Sequence, residues 1–457
     1  MPQKINRRDF LGQSKTKGLG IAAGVTLLAD PRSIHAASAN EKVVLGLIGC
    51  GGRGPHLAKG FLDRGDCTFA AIADVNQNAL AATATAIAKR QNGQAPATFG
   101  DFRKLLEDKS IDAVVIATPD HWHALATVWA CQAGKDVYVE KPPTQNCWEG
   151  QQMIAAASKY QRVVQCGFQN RSAAYNMAAR KYLKAGKLGK VHLCRIYNQK
   201  PPWGNCPTVP DSVAPAGLDW DMWNGPAHAC AYNASRHKCW NHQWAYSGGD
   251  IANDASHQID LARWLLGVKY PKTVYSTGGR FDIQSAAQSP DTQIALYDFD
   301  NLLVSFELTL FAPYMLKTDS GVRDNDMFPY WFQNSTRIEI YGTEGMMVVG
   351  RHGGGWQVFV RPHSRQPVVK EQHFGRFPDP EHKENFIQCI RSRKRPNADI
   401  TKAHLSTLMI HYGNISYRVG SQKLTIDPHS EEIVDHPEAM NLFRRSYRAP
   451  WILPEKV

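Results

Sequence analysis

The 457-residue sequence has no apolar run long enough to cross a bilayer. Its longest, residues 18–28, holds eleven residues, where a spanning helix needs roughly 20, so no membrane span is expected. The ten cysteines include no Cys-x-x-Cys pair, which leaves neither a zinc ribbon nor a thioredoxin-type motif. Nothing among His, Asp, Glu and Cys has metal-ligand spacing, and no metal site is expected. Internal repeats and low-complexity tracts are also missing. Charge is sparse: 21% of residues are charged against 43% hydrophobic, which excludes a disordered or fibrous chain. The net charge of +12 invites a nucleic-acid reading, but residues 1–39 alone carry six basic and two acidic side chains. The surplus left for the body is modest, the basic knot at 391–395 reads as a solvated helix end, and no nucleic-acid partner is expected. Cys206, Cys230 and Cys239 share one Pro- and Trp-rich region, which admits either a disulfide or buried free thiols.

What is present begins with Asn6-Arg7-Arg8-Asp9-Phe10-Leu11, then the short apolar stretch, then Ala37-Ser38-Ala39. A cationic end, a short greasy helix and a small-residue site are the layout of an export peptide. The arginine pair resembles a twin-arginine signal, so residues 1–39 are expected to direct the chain to the periplasm. The length of the remainder predicts two domains.

The first domain reads as a dinucleotide fold. A buried-strand run at 43–48 leads into Gly49-Cys50-Gly51-Gly52-Arg53-Gly54 and a helical pattern. Gly49 permits the tight turn, Gly51 lets backbone N–H groups approach a pyrophosphate, and Gly54 lets helix pack on strand. A second strand run, 69–73, ends in Asp74, twenty residues after Gly54. A carboxylate there accepts hydrogen bonds from an adenosine ribose and repels a 2′-phosphate, so NAD is expected rather than NADP. Helical patterns at 79–90 and 125–133 alternate with strand runs at 113–117 and 136–139, which predicts a doubly wound parallel sheet. The segments Thr118-Pro119-Asp120-His121-Trp122-His123 and Glu140-Lys141-Pro142 then emerge at the ligand-bearing carboxyl edge. The expected cofactor set is Gly49, Gly51, Gly52, Arg53, Gly54, Asp74, Thr118, Pro119, His121, His123, Glu140, Lys141 and Gln169.

From about residue 161 the rhythm changes. Runs at 191–197, 273–277, 292–299, 302–310, 337–341, 346–349 and 356–361 are strand-like, with helix candidates at 381–391 and 403–419. This predicts an α+β domain with an open, largely antiparallel sheet. Residues 201–246 form a long irregular stretch rich in aromatics, among them Trp203 and Trp240 as candidate sugar platforms. Asn253 and His257 stand four apart, hence on one helical face.

The glycine turn, Asp74, Thr118-Pro119 with His123, Glu140-Lys141-Pro142, the segment from Ser247-Gly248-Gly249-Asp250 to Asp260, and Ile340-Tyr341-Gly342-Thr343-Glu344-Gly345 together resemble the Gfo/Idh/MocA oxidoreductases. With the arginine pair and the closing Arg444-Arg445-Ser446-Tyr447-Arg448-Ala449-Pro450-Trp451, the likeness is to the exported branch of that family. The resemblance implies a Rossmann domain over 40–160, an α+β substrate and oligomerisation domain over 161–430, and a C-terminal tail, 431–457, packing back on the body. It implies that the two late helices pack on the nucleotide domain and that the sheet face serves homo-oligomer contacts. It also implies Asp-x-x-x-His where this chain has Asn253 and His257, with the histidine as acid/base and the aspartate binding substrate hydroxyls. Asn253 departs from that pattern, and Asp254 beside it is the second candidate substrate residue.

Removing hydride from a carbinol carbon requires that the hydroxyl proton leave, so the site needs a base and a cation near the oxygen. His257 suits the first task and Lys141 the second. The expected function is an NAD-dependent oxidoreductase acting on a sugar, polyol or glycoside, with the cofactor tightly bound. The alternatives are an NAD-dependent glycosidase, working by transient oxidation and elimination, and a non-catalytic sugar sensor that retains NAD.

Overall fold

A computed structural model of the protein describes residues 42–202, 204–281, 285–325, 327–361, 366–434 and 436–457. The expected export signal and Trp203 lie outside the described residues. Near-continuous apolar runs give the strands β1 (Val43–Ile48), β2 (Cys67–Ala73), β3 (Ala97–Phe99), β4 (Ala113–Ile116), β5 (Asp136–Val139) and β6 (Val164–Cys166). They form one sheet in the order β3-β2-β1-β4-β5-β6, with every pair parallel. The runs are apolar rather than alternating because helices cover both faces. Leu45 and Leu47 pack with Leu57 and Phe61 of the Arg53–Leu62 helix, while Val114 and Ile116 pack with Leu125 and Val128 of the His123–Gln132 helix. The strand order reverses between β1 and β4, which opens a crevice at the carboxyl ends of the strands. The sheet continues past residue 160 through β6.

The second sheet contains β7 (Val191–Gln199), β8 (Thr273–Gly279), β9 (Thr292–Asp298), β10 (Leu303–Thr309), β11 (Arg337–Gly342), β12 (Gly345–Gly350), β13 (Trp356–Val360), β14 (Val368–His373), β15 (Leu424–Ile426) and β16 (Ile433–Val434). Their order is β14-β13-β12-β11-β7-β10-β9-β8-β15-β16. Ladder pairings are antiparallel except β7 with β10. One face buries Ile196, Val304, Phe306 and Ile340 against Ile259 and Leu261 of the Ser256–Leu266 helix and Leu408 and Met409 of the Ile400–Arg418 helix. Tyr275, Ile294 and Leu303 remain exposed on neighbouring strands.

The two sheets are tied together by helices that belong to both cores. Ile400 and Ala403 pack in the nucleotide core, and Leu408 to Ile415 of the same helix pack under the second sheet. Phe386 and Ile387 of the Asp379–Ser392 helix pack with Phe61 and Tyr138. Arg171, just after β6, makes a bidentate bond to Asp260, with Nη2 to Oδ1 at 2.6 Å and both side chains at 1% exposure or less. Ser406 Oγ donates to the same carboxylate at 2.7 Å and accepts from Arg263 Nε at 2.7 Å. The C-terminal segment buries Leu453 and sets Trp451 edge-on to Trp122 with ring centroids 5.2 Å apart. No helix among the described residues is long and apolar enough to cross a membrane.

Residues 201–246 contain short helices, Trp220–Asn224 and Ala234–Lys238, in an otherwise irregular path. Their aromatic content builds a small core of its own: Trp220 stacks on Trp223 at 4.7 Å, and Trp223 meets Tyr246 edge-on at 4.8 Å. All ten cysteines are free thiols.

Candidate active site

The crevice beside β1 opens into a cavity of about 540 Å³ lined by both parts of the chain. Its floor is the glycine turn. Gly49 adopts φ +96°, which a side chain would strain, and a Cβ on Gly54 would lie 2.0 Å from the Gly49 carbonyl oxygen, so helix and turn touch through bare backbone. Gly51 and Gly52 have open space where a Cβ would stand, and both line the cavity. The ten-residue Arg53–Leu62 helix starts there, so its first N–H groups face the space that an anion would fill. Asp74, at the end of β2, accepts from Cys50 N at 2.5 Å and from Asn76 N at 2.7 Å, fixing the turn against the second strand. Burial raises its pKa, and the two backbone bonds oppose that.

At the carboxyl edge, Arg53 Nε donates to Glu140 at 2.8 Å. Burial pushes the Glu140 carboxyl up, but Arg53 and Lys141 outweigh it and hold the group below its ordinary value. The His123 ring nitrogens lie 2.7 Å from the Pro142 carbonyl oxygen and 2.9 Å from that of Thr118, bracing the two edge loops against each other. Asp120 accepts from Ser247 Oγ at 2.5 Å, and burial pushes its carboxyl up to about 7.

Lys141 Nζ donates to Asn253 O at 2.7 Å and to Asn253 Oδ1 at 3.3 Å. That bond joins the strand end to the segment carrying His257, where a short helical turn, Asp250–Asn253, breaks before the Ser256–Leu266 helix begins. His257 and Lys141 line the same cavity as the glycine turn. Burial lowers the pKa of both. For His257 the positive charges of Arg351 and Lys141 add to the effect and take it well below 6.5, so the imidazole is neutral. Three cavity-lining residues carry a buried polar atom without a hydrogen-bond partner among the described residues: Thr118 Oγ1, His257 Nδ1 and Arg351 Nε. Bare glycine backbone, a helix start, an aspartate at the end of β2 and these orphaned atoms fit a dinucleotide with a second small ligand beside it.

The structure brings together Gly49, Gly51, Gly52, Arg53, Asp74, Thr118, Pro119, His123, Glu140, Lys141, Gln169, Trp240, Asn253 and His257 around this cavity, with Gly54 directly behind it. Besides Gly54, two expected residues do not line it. His121 is turned into the aromatic wall, its Nε2 3.0 Å from the Trp223 carbonyl oxygen and its ring 4.9 Å from that of Tyr246. Asp254 points to three cations, Arg351 at 2.7 Å, Lys200 at 2.7 Å and Lys317 at 3.1 Å, because the break after Asn253 turns it away. The sequence reading missed Arg323, Arg351, His352 and Phe377, which complete the wall. Arg351 and His352 precede three glycines, Gly353, Gly354 and Gly355, all at positive φ between β12 and β13. That glycine run was the available signal.

Three models of one family match consecutive stretches of the chain. "Oxidoreductase family, NAD-binding Rossmann fold" covers residues 43–168, a GFO/IDH/MocA C-terminal domain 221–348, and an oxidoreductase-family C-terminal alpha/beta domain 332–453. The scyllo-inositol 2-dehydrogenase (NAD(+)) of Bacillus subtilis is 26% identical over 308 residues, 64% of this chain and 71% of that protein. A glycosyl hydrolase family 109 protein of Shewanella putrefaciens is 30% identical over 178 residues, only 35% of this chain and 38% of that protein. Among solved structures, the WlbA dehydrogenase of Bordetella pertussis, in complex with NADH and UDP-GlcNAcA, superposes with a TM-score of 0.61 at 21% identity, covering 85% of this chain and 99% of that one. That likeness is one of fold.

Proposed function

The chain belongs to the Gfo/Idh/MocA oxidoreductases, with an NAD-binding Rossmann domain, and from that premise we propose that it oxidises a hydroxyl-bearing carbon of a sugar, polyol or glycoside with retained NAD. The observation that carries this reading is the meeting of Lys141 and His257, from separate halves of the chain, in the cavity floored by the glycine turn. NAD bound there supplies the hydride acceptor. The residues named around the turn hold it, with Thr118 Oγ1 offering an unused hydrogen-bonding atom. Asp74 favours NAD over NADP by repelling a 2′-phosphate.

The protein's own part is to handle the proton and the charge left on oxygen. His257, neutral and with Nδ1 unpartnered, accepts the hydroxyl proton. Lys141 stabilises the oxygen as it loses that proton, its ammonium held by Asn253 in a poorly hydrated pocket where one charge acts strongly. Trp240 and Trp223 offer apolar faces on the same wall for a sugar ring. Partial likeness to a glycosyl hydrolase family 109 protein supports a second reading, transient oxidation followed by elimination of a glycoside. Export is part of the proposal, supported by Arg7-Arg8 and residues 37–39. A homo-oligomer formed through the second sheet is also part of it, supported by exposed Tyr275, Ile294 and Leu303.

The test is to incubate NAD-loaded protein with sugars, inositols and aryl glycosides while following absorbance at 340 nm and released aglycone. Net NADH identifies a dehydrogenase, cleavage without net NADH identifies the glycosidase, and neither signal across the panel contradicts the enzymatic reading.

A further inference from the structure

We propose that the substrate is an anionic carbohydrate, its carboxylate or phosphate held by Arg323 and Arg351 beside His257; this rests on the dehydrogenase reading. Neither arginine belongs to any motif noted in the sequence. Arg323 ends the short Ser320–Arg323 helix, Arg351 follows β12, and both line the cavity.

Lys141, Arg323 and Arg351 line this end of the cavity; behind it Lys200 and Lys317 bind Asp250 and Asp254, and Asp254 is the carboxylate that Arg351 pairs with. Asp254 is shared by three of the cations, and Asp250 is engaged by Lys200 at 3.0 Å and Asn198 at 2.5 Å. Glu140 is occupied by Arg53, and Asp120 is bonded to Ser247. Asn253, next to Lys141, is neutral where a carboxylate would offset one more charge.

Two features show where the missing negative charge belongs. Arg323 has no ion-pair partner among the described residues; its guanidinium lies over the Phe377 ring at 4.7 Å. Arg351, 4% exposed, spends Nη2 on Asp254 and Nη1 on His352 Nδ1 at 2.6 Å, and leaves Nε without a partner. Buried charge is costly unless it is paired and hydrogen-bonded, and a planar guanidinium fork matches a carboxylate or phosphate. Besides burial, Arg351 and Lys141 disfavour an imidazolium at His257. An anion bound between them and the imidazole offsets that field, so the correct substrate improves the base that deprotonates it.

The experiment uses the NAD-loaded protein and titration calorimetry with D-glucuronate, D-galacturonate and glucose 6-phosphate beside their neutral parents, D-glucose and D-galactose. At least one anionic sugar is expected to bind about tenfold more tightly than its parent at low ionic strength, with the gap narrowing in high salt. Whether the uronates or the phosphate show it identifies the anion. Arg323→Gln is expected to collapse the ratio to about threefold or less. Neutral parents binding as tightly as the anions overturn this inference and leave the dehydrogenase reading standing. An equal loss of NADH and anionic-sugar affinity in Arg323→Gln also overturns it, by assigning the arginine to the cofactor's diphosphate. If NADH binds and no sugar of either class does, both readings fall.

Discussion

At the scale of single residues, two nitrogens carry different duties in the proposed reaction, that of Lys141 and that of His257. Lys141→Met and His257→Ala are each expected to lower turnover by at least about 100-fold while NAD affinity, read by protein fluorescence, stays within about threefold; wild-type turnover in either variant would remove that residue from the chemistry. The pH profile follows from the same pair. Turnover needs His257 neutral and Lys141 charged, and burial lowers both pKa values, from 6.5 and 10.5 respectively. Both limbs of the bell therefore move to the acid side, and an acid limb at or above 6.5 would contradict the assignment of His257. Asp74→Ala is expected to erode the preference for NAD over NADP, measured as the ratio of the two dissociation constants, by roughly tenfold.

At the scale of elements, the strand, glycine turn and helix at 43–62 form one unit whose parts fit only without side chains. Gly54→Ala puts a methyl 2.0 Å from the Gly49 carbonyl oxygen, so the helix must shift. Loss of NAD binding, with the second domain still folded by circular dichroism, is the expected result. Asp260→Ala tests the join between the sheets. It leaves Arg171 buried without its carboxylate, beside Arg263, whose pKa burial and Arg171 already push down to about 9. The expected cost is about 3–5 kcal/mol, read as a lowered midpoint of thermal unfolding. Elements with a strong period were legible in the sequence: β1, β2, β4, β5, β7 to β13 and both late helices stand within a few residues of their expected bounds. The strand β14, Val-Val-Lys-Glu-Gln-His, was not, because an edge strand with no buried face carries no alternation. β15 and β16 are too short to show a period. In the site, residues carried by the glycine turn and the two strand-end loops were legible, since motif spacing fixes their place. Asp254 and His121 went astray because a helix break and an aromatic neighbour decide which way a side chain turns. Arg323 and Arg351 arrive from segments far apart in the chain, and only the glycine run that follows Arg351 marks its place.

At the scale of the whole molecule, burying many imidazoles makes stability depend on pH. His121, His123, His242, His257, His352, His382 and His411 are all buried, and burial is the leading cause of the lowered pKa in each. The unfolded chain takes up these protons near pH 6.5, the folded one only at lower pH: at about 3 for His121 and His411, about 4 for His382, and well below 6.5 for His257 and His352. Stability is therefore full above 6.5 and falls as the pH drops below it, by up to about 1.4 kcal/mol per pH unit for each imidazole that stays neutral in the fold. Scanning calorimetry from pH 7 to pH 5 is expected to lower Tm by at least about 5 °C; a flat profile would mean that these rings are solvated. The two sheets and the NAD-binding fold were within reach of the sequence because motif spacing and strand rhythm mark them, while the meeting of Lys141 with His257 was expected from the family resemblance. The charge surplus opposite them emerges only when distant segments fold together. The measurement that bears most directly on the central claim is a single-turnover experiment at 340 nm, with NAD-loaded protein mixed rapidly with the sugar and glycoside panel. Absorbance should rise with at least one compound, whether or not NADH accumulates afterwards, and should fail to rise in Lys141→Met and His257→Ala; equal bursts in the wild type and both variants, or none in a wild type that holds NAD, would contradict it.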